Sequence, residues 1–533
     1  MRVLLVFLGT GQMALNIHAS NLDTVGVTLL QTVTTNVNGA GVHVAQPEAA
    51  DPNTSPGTNT WEVNPAVVGQ PTNVFIYISS AGSNTTYPNS LGFESHHAEQ
   101  VAGNFYGVPG GVATNVAHVD NFEADYFFNL VIASNFPPDI NDPVVNQSFI
   151  FTAADGSHVS ASDQQGLDSA YDNYAAQYNT LFISGAGNGA PAQVNPPATC
   201  YNGIGVGVSD GSSSIGPTID NGRAKPDLIA PGGATSFSTP FVSGAAAVLM
   251  QAGLRGDGGS STNSAANIRT VKALLLNGAI KPADWTNNAP SPLDTRYGAG
   301  VLNVFNSYKQ LTGGKHGYTV SEIIPSGNPH PPNGDTGTVS TLSGWDFNSI
   351  LSISNNNLPL LLQDGVNHYY FNVTNGVSNA TFTATITLVW NRQQNQTNIN
   401  NLDLFLYNTI SSNLITCSTS LVDNVEHIFI PHLPQGRYDL QVLKHAGNSV
   451  SDTETYALAF EFFSLPLNIS PSGTNTTLSW PIYPAGFVLE STTNLTAPIF
   501  WSTNYPSPVV TNNQNWVVLN ATNHIQFFRL WRP

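Results

Sequence analysis

The sequence predicts an α/β fold in which helices cover both faces of a parallel sheet, followed by a β-sandwich and a smaller β module. Up to about residue 312, apolar strand-like runs alternate with segments of helical periodicity, which is typical of a parallel sheet buried on both faces. From about residue 346, apolar residues recur at every second position, which predicts antiparallel sheets with one solvated face. A chain of 533 residues also exceeds what one hydrophobic core supports.

The charge balance limits the partners of the protein. Only 9% of the residues are charged, and the formal net charge is −18. Nucleic acids and anionic membranes attract clustered Lys and Arg, so this composition argues against both. Abundant Asn, Thr, Ser, Gly and Pro with few lysines is typical of a secreted, turn-rich β protein. The sequence leaves the oligomeric state open.

The cysteines and the N-terminus point to the same class of protein. Cys200 and Cys417 fall in different predicted domains, so they offer neither a disulfide framework nor a zinc cluster, and we interpret them as inert thiols. Residues 1–20 carry a basic residue, a short apolar run and a small residue near the end, which predicts a signal peptide. We therefore expect a secreted protein, free or attached to the cell surface. No later segment has the roughly 18 uninterrupted apolar residues of a membrane span.

The elements of the first domain follow from local patterns. Residues 41–48 alternate apolar side chains up to a proline and Glu48, as a buried strand that stops abruptly would. Further strands are predicted at 74–78, 144–149 and 181–188, and at the end of 196–208. An amphipathic helix is predicted by the 3–4 spacing of Leu167, Ala170, Tyr171, Tyr174, Ala175 and Tyr178, with a capping box at Ser162 and Gln165.

A turn and an apolar helix are predicted within residues 225–250. Because proline is accepted in the first turn of a helix, Pro240 predicts a helix start near residues 236–238. The uncharged run 241–250 must be buried. A serine at this helix end, such as Ser236, lies beside unpaired backbone N–H groups and the positive end of the helix dipole, where an enzyme stabilises an oxyanion. From these residues alone, an N-cap serine on a core helix remains the alternative.

Two adjacent motifs resemble the nucleophile region of the subtilisin-like serine peptidases. Lys-Pro-Asp-Leu-Ile-Ala-Pro-Gly at 225–232 is followed by Ala-Thr-Ser-Phe-Ser-Thr-Pro-Phe-Val-Ser-Gly at 234–244. The family pattern is Gly-Thr-Ser-x-Ala-x-Pro-x-Val-Ala-Gly. The resemblance implies that Ser236 is the nucleophile and that Phe237 contributes to the substrate site. Ala234 replaces the family glycine, and the loop before it is shorter than usual.

The same resemblance assigns a general base. Residues 94–103, Glu-Ser-His-His-Ala-Glu-Gln-Val-Ala-Gly, are similar to the family pattern His-Gly-Thr-His-Val-Ala-Gly. Alignment on the shared Val-Ala-Gly makes His97 the general base, with Ala98 and Glu99 in place of Gly-Thr. Without the resemblance, a histidine at this place would be interpreted as structural.

The catalytic acid is the largest departure from the family. The strand at 41–48 resembles the family strand that leads into Asp-x-Gly, and Glu48 takes the place of the aspartate while Ala50 takes that of the glycine. A glutamate carboxylate can orient an imidazole and stabilise its cation, although its extra methylene requires a shift of the strand end or the histidine. Asp51 is the alternative acid, and a surface carboxylate at Glu48 is the third interpretation.

The remaining site residues come from two strand ends. Residues 181–188 end in Ala-Gly-Asn and resemble the family step that makes the oxyanion hole, which implies Asn188 as side-chain donor and Gly185, Ala186 and Gly187 as substrate-binding. Taken alone, Gly-Asn after a strand predicts a turn. Ser148 resembles a cleft residue, but Phe149-Ile150 replaces the family Leu-Gly, so the cleavage preference cannot be carried across.

The resemblance also sets the extent and needs of the domain. Tyr-Gly-Ala-Gly-Val-Leu-Asn at 297–303 resembles the closing signature of the family, which gives a peptidase domain over 21–312. The family implies polypeptide substrates, no organic cofactor and structural Ca²⁺ as an option. Fewer than 50 residues precede the first strand, so we expect either folding without a propeptide domain or an incomplete chain start.

Three segments are predicted beyond residue 312. Residues 313–345 are rich in Gly, Pro, His and Ser and are interpreted as a linker. Residues 346–465 predict a β-sandwich that resembles the jelly-roll-like modules of secreted peptidases. Asp403, Asp423 and Asn424 there are either Ca²⁺ ligands or turn-forming side chains. Residues 466–533 predict a small β unit for adhesion, secretion or stabilisation.

Two functions follow from these expectations. The first is a secreted serine endopeptidase that uses Ser236, His97 and Glu48 with Asn188 in the oxyanion hole. The second is an inactive scaffold of the same fold that binds proteins or glycans. The replaced acid and the short loop before Ala234 motivate the second function, whereas the retained serine, histidine and asparagine favour the first.

Overall fold

The computed structural model describes residues 20–531, apart from 51–58, 190–191, 328, 330, 333–336, 355–361, 377–379, 448, 473, 504 and 521–524. Residues 1–19 of the predicted signal peptide and the alternative acid Asp51 lie outside the described residues.

The first part of the chain alternates strands and helices. Its strands are β1 (His43–Glu48), β2 (Thr60–Glu62), β3 (Phe75–Ser79), β4 (Gly82–Asn84), β5 (Phe93–Glu94), β6 (His118–Glu123), β7 (Val144–Gln147), β8 (Leu181–Gly185), β9 (Ile204–Val208) and β10 (Leu228–Ala230). Its helices are α1 (Asn21–Thr24), α2 (Val27–Val33), α3 (His96–Phe105), α4 (Ala124–Tyr126), α5 (Ala161–Tyr178), α6 (Thr235–Arg255), α7 (Thr262–Ala265), α8 (Ile268–Asn277) and α9 (Val304–Thr312), with a 3₁₀ turn at Thr72–Val74 and a π-helix at Phe127–Ile132.

Eight of these strands form one sheet, in the order β10-β9-β8-β7-β1-β6-β3-β4, and β2 pairs separately with β5. Every described pairing is parallel except that of β4 with β3. All residues of β7, β8, β9 and β10 are buried, which requires cover on both faces of the sheet. The fold is therefore subtilisin-like, as the sequence predicts, and β1 lies in its middle with the acidic side chain at its carboxyl end.

Helix α6 is the central core helix. It begins at Thr235, and 17 of its 21 residues are buried. Among the described helices it is the one long and apolar enough to cross a membrane, but 89% of its most apolar window is buried inside the protein. Its composition therefore reflects burial in the core.

Two helix starts differ in detail from the sequence prediction. Helix α5 is capped by Ser160, whose hydroxyl accepts from the Asp163 backbone N–H, rather than by the predicted pair Ser162 and Gln165. The pattern Ser-x-x-acid begins two residues earlier and matches the same capping chemistry. Pro240 is the sixth residue of α6, in its second turn rather than in the first turn as predicted.

The second part of the chain forms two antiparallel sheets around a common core. Its strands are β11 (Val320–Pro325), β12 (Ser343–Leu351), β13 (Gln363–Val373), β14 (Thr381–Trp390), β15 (Leu402–Asn408), β16 (Leu414–Ser418), β17 (Val425–Pro434), β18 (Gly436–Lys444) and β19 (Thr453–Phe463). The sheet orders are β11-β13-β18-β15-β16 and β12-β19-β14-β17. Apolar residues from both sheets share one cluster, as a β-sandwich requires.

A strand lies inside the segment interpreted as a linker. Strand β11 pairs antiparallel with β13 at the edge of its sheet. Its residues alternate between half-buried and exposed, and it ends in a proline, which is tolerated on an edge strand. The alternation of β11 was not recognised in the sequence because the segment is short and the residues on both sides of it are rich in Gly and Pro.

The C-terminal unit is smaller. It contains β20 (Asn468–Ser472), β21 (Asn475–Pro481), β22 (Val488–Thr492), β23 (Val509–Thr511), β24 (Gln514–Asn520) and β25 (Phe527–Trp531), in sheets β20-β21-β24-β23 and β22-β25. Its buried core consists of Leu478, Trp480, Leu489 and Val517.

The sandwich and the α/β domain meet through buried polar groups. Asn202 donates from Nδ2 to the carbonyl oxygen of Arg392 at 3.0 Å and accepts from the Arg392 N–H at 2.8 Å. Asn277 Oδ1 accepts from the hydroxyls of Thr385 and Thr387 at 3.0 and 2.9 Å. Sandwich side chains such as Trp345 also belong to the apolar cluster of the first domain.

Candidate active site

Glu48 lies buried at the end of the central strand. Its residue is 1% exposed, which excludes the interpretation as a surface carboxylate. Oε1 accepts a hydrogen bond from Gln46 Nε2 at 2.9 Å. Because side chains alternate along a strand, Gln46 and Glu48 lie on the same side of the sheet.

His97 is held against this carboxylate. Helix α3 begins at His96 and is capped by Ser95, whose hydroxyl accepts from the Ala98 N–H. His97 is therefore in the first turn, and its Nδ1 lies 2.9 Å from Glu48 Oε2. A carboxylate accepts but does not donate, so Nδ1 carries the proton and Nε2 is the basic nitrogen in the neutral ring. The His97 side chain is 32% exposed, so part of the ring is accessible to solvent.

Ser236 lies in the first turn of α6 and does not cap it. Ala234 is the N-cap, and it makes no side-chain capping bond. Pro240 has no N–H to donate to the carbonyl of Ser236, its i−4 residue. Ser148 Oγ donates to that carbonyl at 2.8 Å instead, and Ser236 Oγ donates to the Ser148 carbonyl at 3.3 Å. Because Pro240 cannot donate to it, the Ser236 carbonyl accepts from Ser148, the residue that directly follows β7.

Helices α3 and α6 are joined beside these residues. Asn104 Nδ2 on α3 donates to the carbonyl oxygen of Phe237 at 3.0 Å. The rings of His97 and Phe237 pack with centroids 5.7 Å apart. The imidazole therefore lies beside the residue that follows Ser236, and its other side meets Glu48.

Asn188 is anchored to the start of the same helix. Its Oδ1 accepts from the Thr235 backbone N–H at 2.7 Å and from the Thr235 hydroxyl at 2.8 Å. With Oδ1 used in this way, the planar amide presents its Nδ2 donor on the opposite side. The Ser236 N–H lies in the same first turn, where a helix has no acceptor of its own. Both donors thus lie at the start of α6.

The loop after β8 needs its glycines. A Cβ on Gly185 would lie 3.1 Å from Thr235 Oγ1, and one on Gly187 would lie 2.8 Å from Ser214 Oγ. Gly187 also has φ +111°, which side chains rarely adopt. Ala186 between them is fully buried. The absence of side chains therefore brings this backbone close to the start of α6.

Sequence reasoning missed four polar residues of this region. They are Gln46 behind the acid, Tyr106 behind Gln46, Asn104 between the helices, and Asn146. The Asn146 amide donates to Ser148 Oγ at 3.0 Å and accepts from Ser243 Oγ at 2.9 Å. An amide inside an otherwise apolar strand was the available signal for Gln46 and Asn146, because a buried amide requires partners.

The residues considered for Ca²⁺ have protein partners. Asp403 Oδ2 lies 2.7 Å from His445 Nε2. Asp423 accepts from the Ala224 N–H at 2.8 Å and from the Ser420 hydroxyl at 2.7 Å. Asn424 Nδ2 donates to the carbonyls of Tyr201 and Trp390. These contacts are with groups of the protein, and structural Ca²⁺ at these residues stays a prediction.

A carboxylate-oriented histidine that packs against the residue after a helix N-terminal serine, on a parallel sheet, is typical of serine hydrolases built on an α/β fold. The chain belongs to the subtilase family (Peptidase_S8), whose family model matches residues 16–300, just over half of the 533 residues. It is therefore a serine peptidase, and polypeptides are its substrates. No curated protein matches the chain.

Several solved structures are similar at low identity. The PatG macrocyclase domain is 17% identical, with a TM-score of 0.39 over 56% of this chain and 99% of that chain. The prenylagaramide maturation protease PagA is 20% identical, with a TM-score of 0.36 over 54% of this chain and 99% of that one. The Aeromonas sobria serine protease, solved with its chaperone, is 14% identical, with a TM-score of 0.33 over 93% and 88%. The family assignment rests on the family-model match.

Proposed function

We propose that the protein is an active, secreted serine endopeptidase with Ser236 as nucleophile, His97 as general base and Glu48 as the orienting acid. The observation that supports this most directly is the 2.9 Å contact between His97 Nδ1 and buried Glu48 Oε2. It fixes the tautomer in which Nε2 can accept a proton, on a ring that packs against the residue next to Ser236.

The reaction follows from these positions. His97 Nε2 removes the proton from Ser236 Oγ as the oxygen attacks the scissile carbonyl. The oxyanion of the tetrahedral intermediate accepts hydrogen bonds from the Ser236 N–H and Asn188 Nδ2. His97 then protonates the leaving amine, and water, deprotonated by the same imidazole, releases the acyl group from Ser236. Glu48 stabilises the imidazolium at each stage.

The substrate is an extended polypeptide that pairs with exposed backbone along the cleft. Of the residues predicted to bind it, Ser148 contacts Ser236 and Gly185 lies against the start of α6, and Phe237 contributes apolar surface beside the histidine. The chemistry needs no organic cofactor. We propose export on the basis of the N-terminal pattern, and N-terminal sequencing of the protein recovered from culture medium tests it. Retention of an uncleaved protein inside the cell would contradict export.

A fluorophosphonate probe tests the central proposal, because it reacts only with an activated serine. We expect covalent labelling of the wild-type protein and none of Ser236→Ala. Ser238→Ala is the matched control, since Ser238 lies on the same helix but is fully buried. Failure to label the folded wild-type protein would support the inactive scaffold instead.

A further inference from the structure

Behind the acid lies a buried glutamine. Gln46 and Glu48 are 0% and 1% exposed. Gln46 Nε2 donates to Glu48 Oε1 at 2.9 Å and to the carbonyl oxygen of Ala98 at 3.0 Å. Ala98 follows His97 in the first turn of α3. One side-chain amide therefore holds both the carboxylate and the helix turn that carries the histidine.

Tyr106 fixes the orientation of this amide. The fully buried Tyr106 hydroxyl donates to Gln46 Oε1 at 2.7 Å. Burial raises the pKa of Tyr106 well above its usual value, and the negative charge of Glu48 adds to this, so the phenol stays protonated. A reversed amide would place Oε1 against two acceptors, Glu48 Oε1 and the Ala98 carbonyl. Only the observed orientation satisfies every group.

The glutamate needs this support more than an aspartate would. Its side chain has one more rotatable bond, and each bond must be held for the carboxylate to meet the imidazole. Oε2 is held by His97, whereas Oε1 is buried and would lose its side-chain donor without Gln46. An unpaired buried oxygen of a charged group is strongly unfavourable, so the side chain would move to find another donor.

We propose that Gln46, oriented by Tyr106, is a positioning residue that fixes the Glu48 carboxylate against His97. It contacts neither substrate nor reacting atoms and acts through the acid. This inference rests on the proposed function, since it assigns a role within the same triad.

A kinetic double-mutant cycle tests the role. Gln46→Met keeps the length of the side chain and removes both polar ends. We expect it to lower kcat by about 10- to 100-fold with KM changed less than about twofold, because only the alignment of the triad is affected. In a Glu48→Gln background, we expect the same change to lower kcat less than about threefold. Additive losses in kcat would overturn the proposal.

The tyrosine provides a second test with a matched control. Tyr106→Phe removes the hydroxyl that orients Gln46, and we expect a loss in kcat of about 3- to 10-fold. Tyr77→Phe removes another buried hydroxyl, which donates to the Val63 carbonyl at 2.8 Å, and we expect kcat within about twofold of wild type. Equal effects on kcat would show a general packing effect and overturn the proposal.

Thermal unfolding of the four proteins of the cycle separates this inference from the proposed function. We expect the midpoint to fall with Gln46→Met and to fall less when Glu48 is already replaced. Coupling in unfolding with additive kinetics would leave the contact real and the positioning role wrong. No coupling in either measurement would refute the contact itself. If the cycle shows coupling in unfolding but the wild-type protein is not labelled by the fluorophosphonate, the proposed function is refuted, and the positioning role with it.

Discussion

At the scale of single residues, the site depends on one replaced acid and its surroundings. A glutamate where relatives use aspartate is compatible with the triad because of its place at the end of a central strand. Gln46, two residues earlier on the same strand, donates to Glu48 Oε1 and leaves Oε2 for His97. The extra methylene is thus accommodated by the strand end, with the carboxylate still 2.9 Å from His97 Nδ1.

The identity of the acid yields the first prediction. Glu48→Gln keeps the shape of the side chain but removes its charge, so we expect kcat to fall by about 10⁴-fold, the order seen when a triad acid is neutralised. Glu48→Asp keeps the charge but shortens the side chain, so we expect its kcat to lie between those of the wild type and Glu48→Gln. Steady-state hydrolysis of a peptide library measures both. Asp51→Asn is the control and should retain full activity; an inactive Asp51→Asn with an unaffected Glu48→Gln would reverse the assignment.

The oxyanion donor yields the second prediction. Asn188→Asp keeps an oxygen for the Thr235 N–H but replaces the Nδ2 donor with a negative charge. We expect kcat to fall by at least about 10²- to 10³-fold, a magnitude that comes from another member of this family, with little change in KM. The unfolding midpoint should stay close to wild type because the contact with Thr235 is retained. A large loss of stability with normal turnover would show that Asn188 only caps the helix.

At the scale of elements, the sequence predicted those whose pattern is local. The period-two apolar residues of β14 from Phe382 to Trp390 are buried as expected, and the uncharged run in α6 is the core helix. The residues between them, such as Thr385 and Thr387, are buried as well, so the predicted solvated face is wrong for this strand. The role of Gln46 could not be predicted, because its partners Ala98 and Tyr106 are more than 50 residues away and a lone amide in a strand does not name them. Strand β11 was missed because it is short and exposed on one face.

The third prediction concerns a pH-sensitive contact within the sandwich. Burial lowers the pKa of His445, but hydrogen bonds and charges from Asp364 and Asp403 outweigh it and raise that pKa to about 9. A histidine with a raised pKa in the folded state stabilises fully below its unfolded value, near 6.5, and loses this contribution as pH rises through about 9. We expect the unfolding midpoint to decline over that range.

His445→Gln checks the cause of this decline. Glutamine cannot take up a proton, so the pH dependence between about 6.5 and 9 should flatten, and stability at pH 6 should be lower than that of the wild type. His432→Gln is the control, since His432 lies exposed on the neighbouring sheet. An unchanged slope in His445→Gln would exclude this residue as the source.

At the scale of the whole molecule, the sandwich is joined to the peptidase domain as an extension of its core. Apolar side chains of both parts form one cluster, and polar side chains between them such as Asn202, Asn277 and Thr387 are buried. Such a contact resembles a domain interior more than a flexible attachment. The partners across it come from segments more than 100 residues apart, so local sequence patterns did not predict the interface.

The fourth prediction follows from that interface. Asn202→Ala would leave the N–H and the carbonyl of Arg392 unpaired in a buried place, where each unpaired group is unfavourable by about 1–3 kcal/mol. We therefore expect a loss of about 2–4 kcal/mol in the free energy of unfolding. Asn173→Ala is the matched control, because Asn173 accepts from the Asn395 N–H across the same two parts but at an exposed site. Its loss should be less than about 0.5 kcal/mol.

Both losses are measured by denaturant unfolding followed by circular dichroism. If the two parts are fused, the peptidase domain and the sandwich of the wild-type protein unfold together in one transition, and Asn202→Ala shifts that whole transition. Two separate transitions, with only one of them moved by Asn202→Ala, would instead show that the sandwich is an independent module.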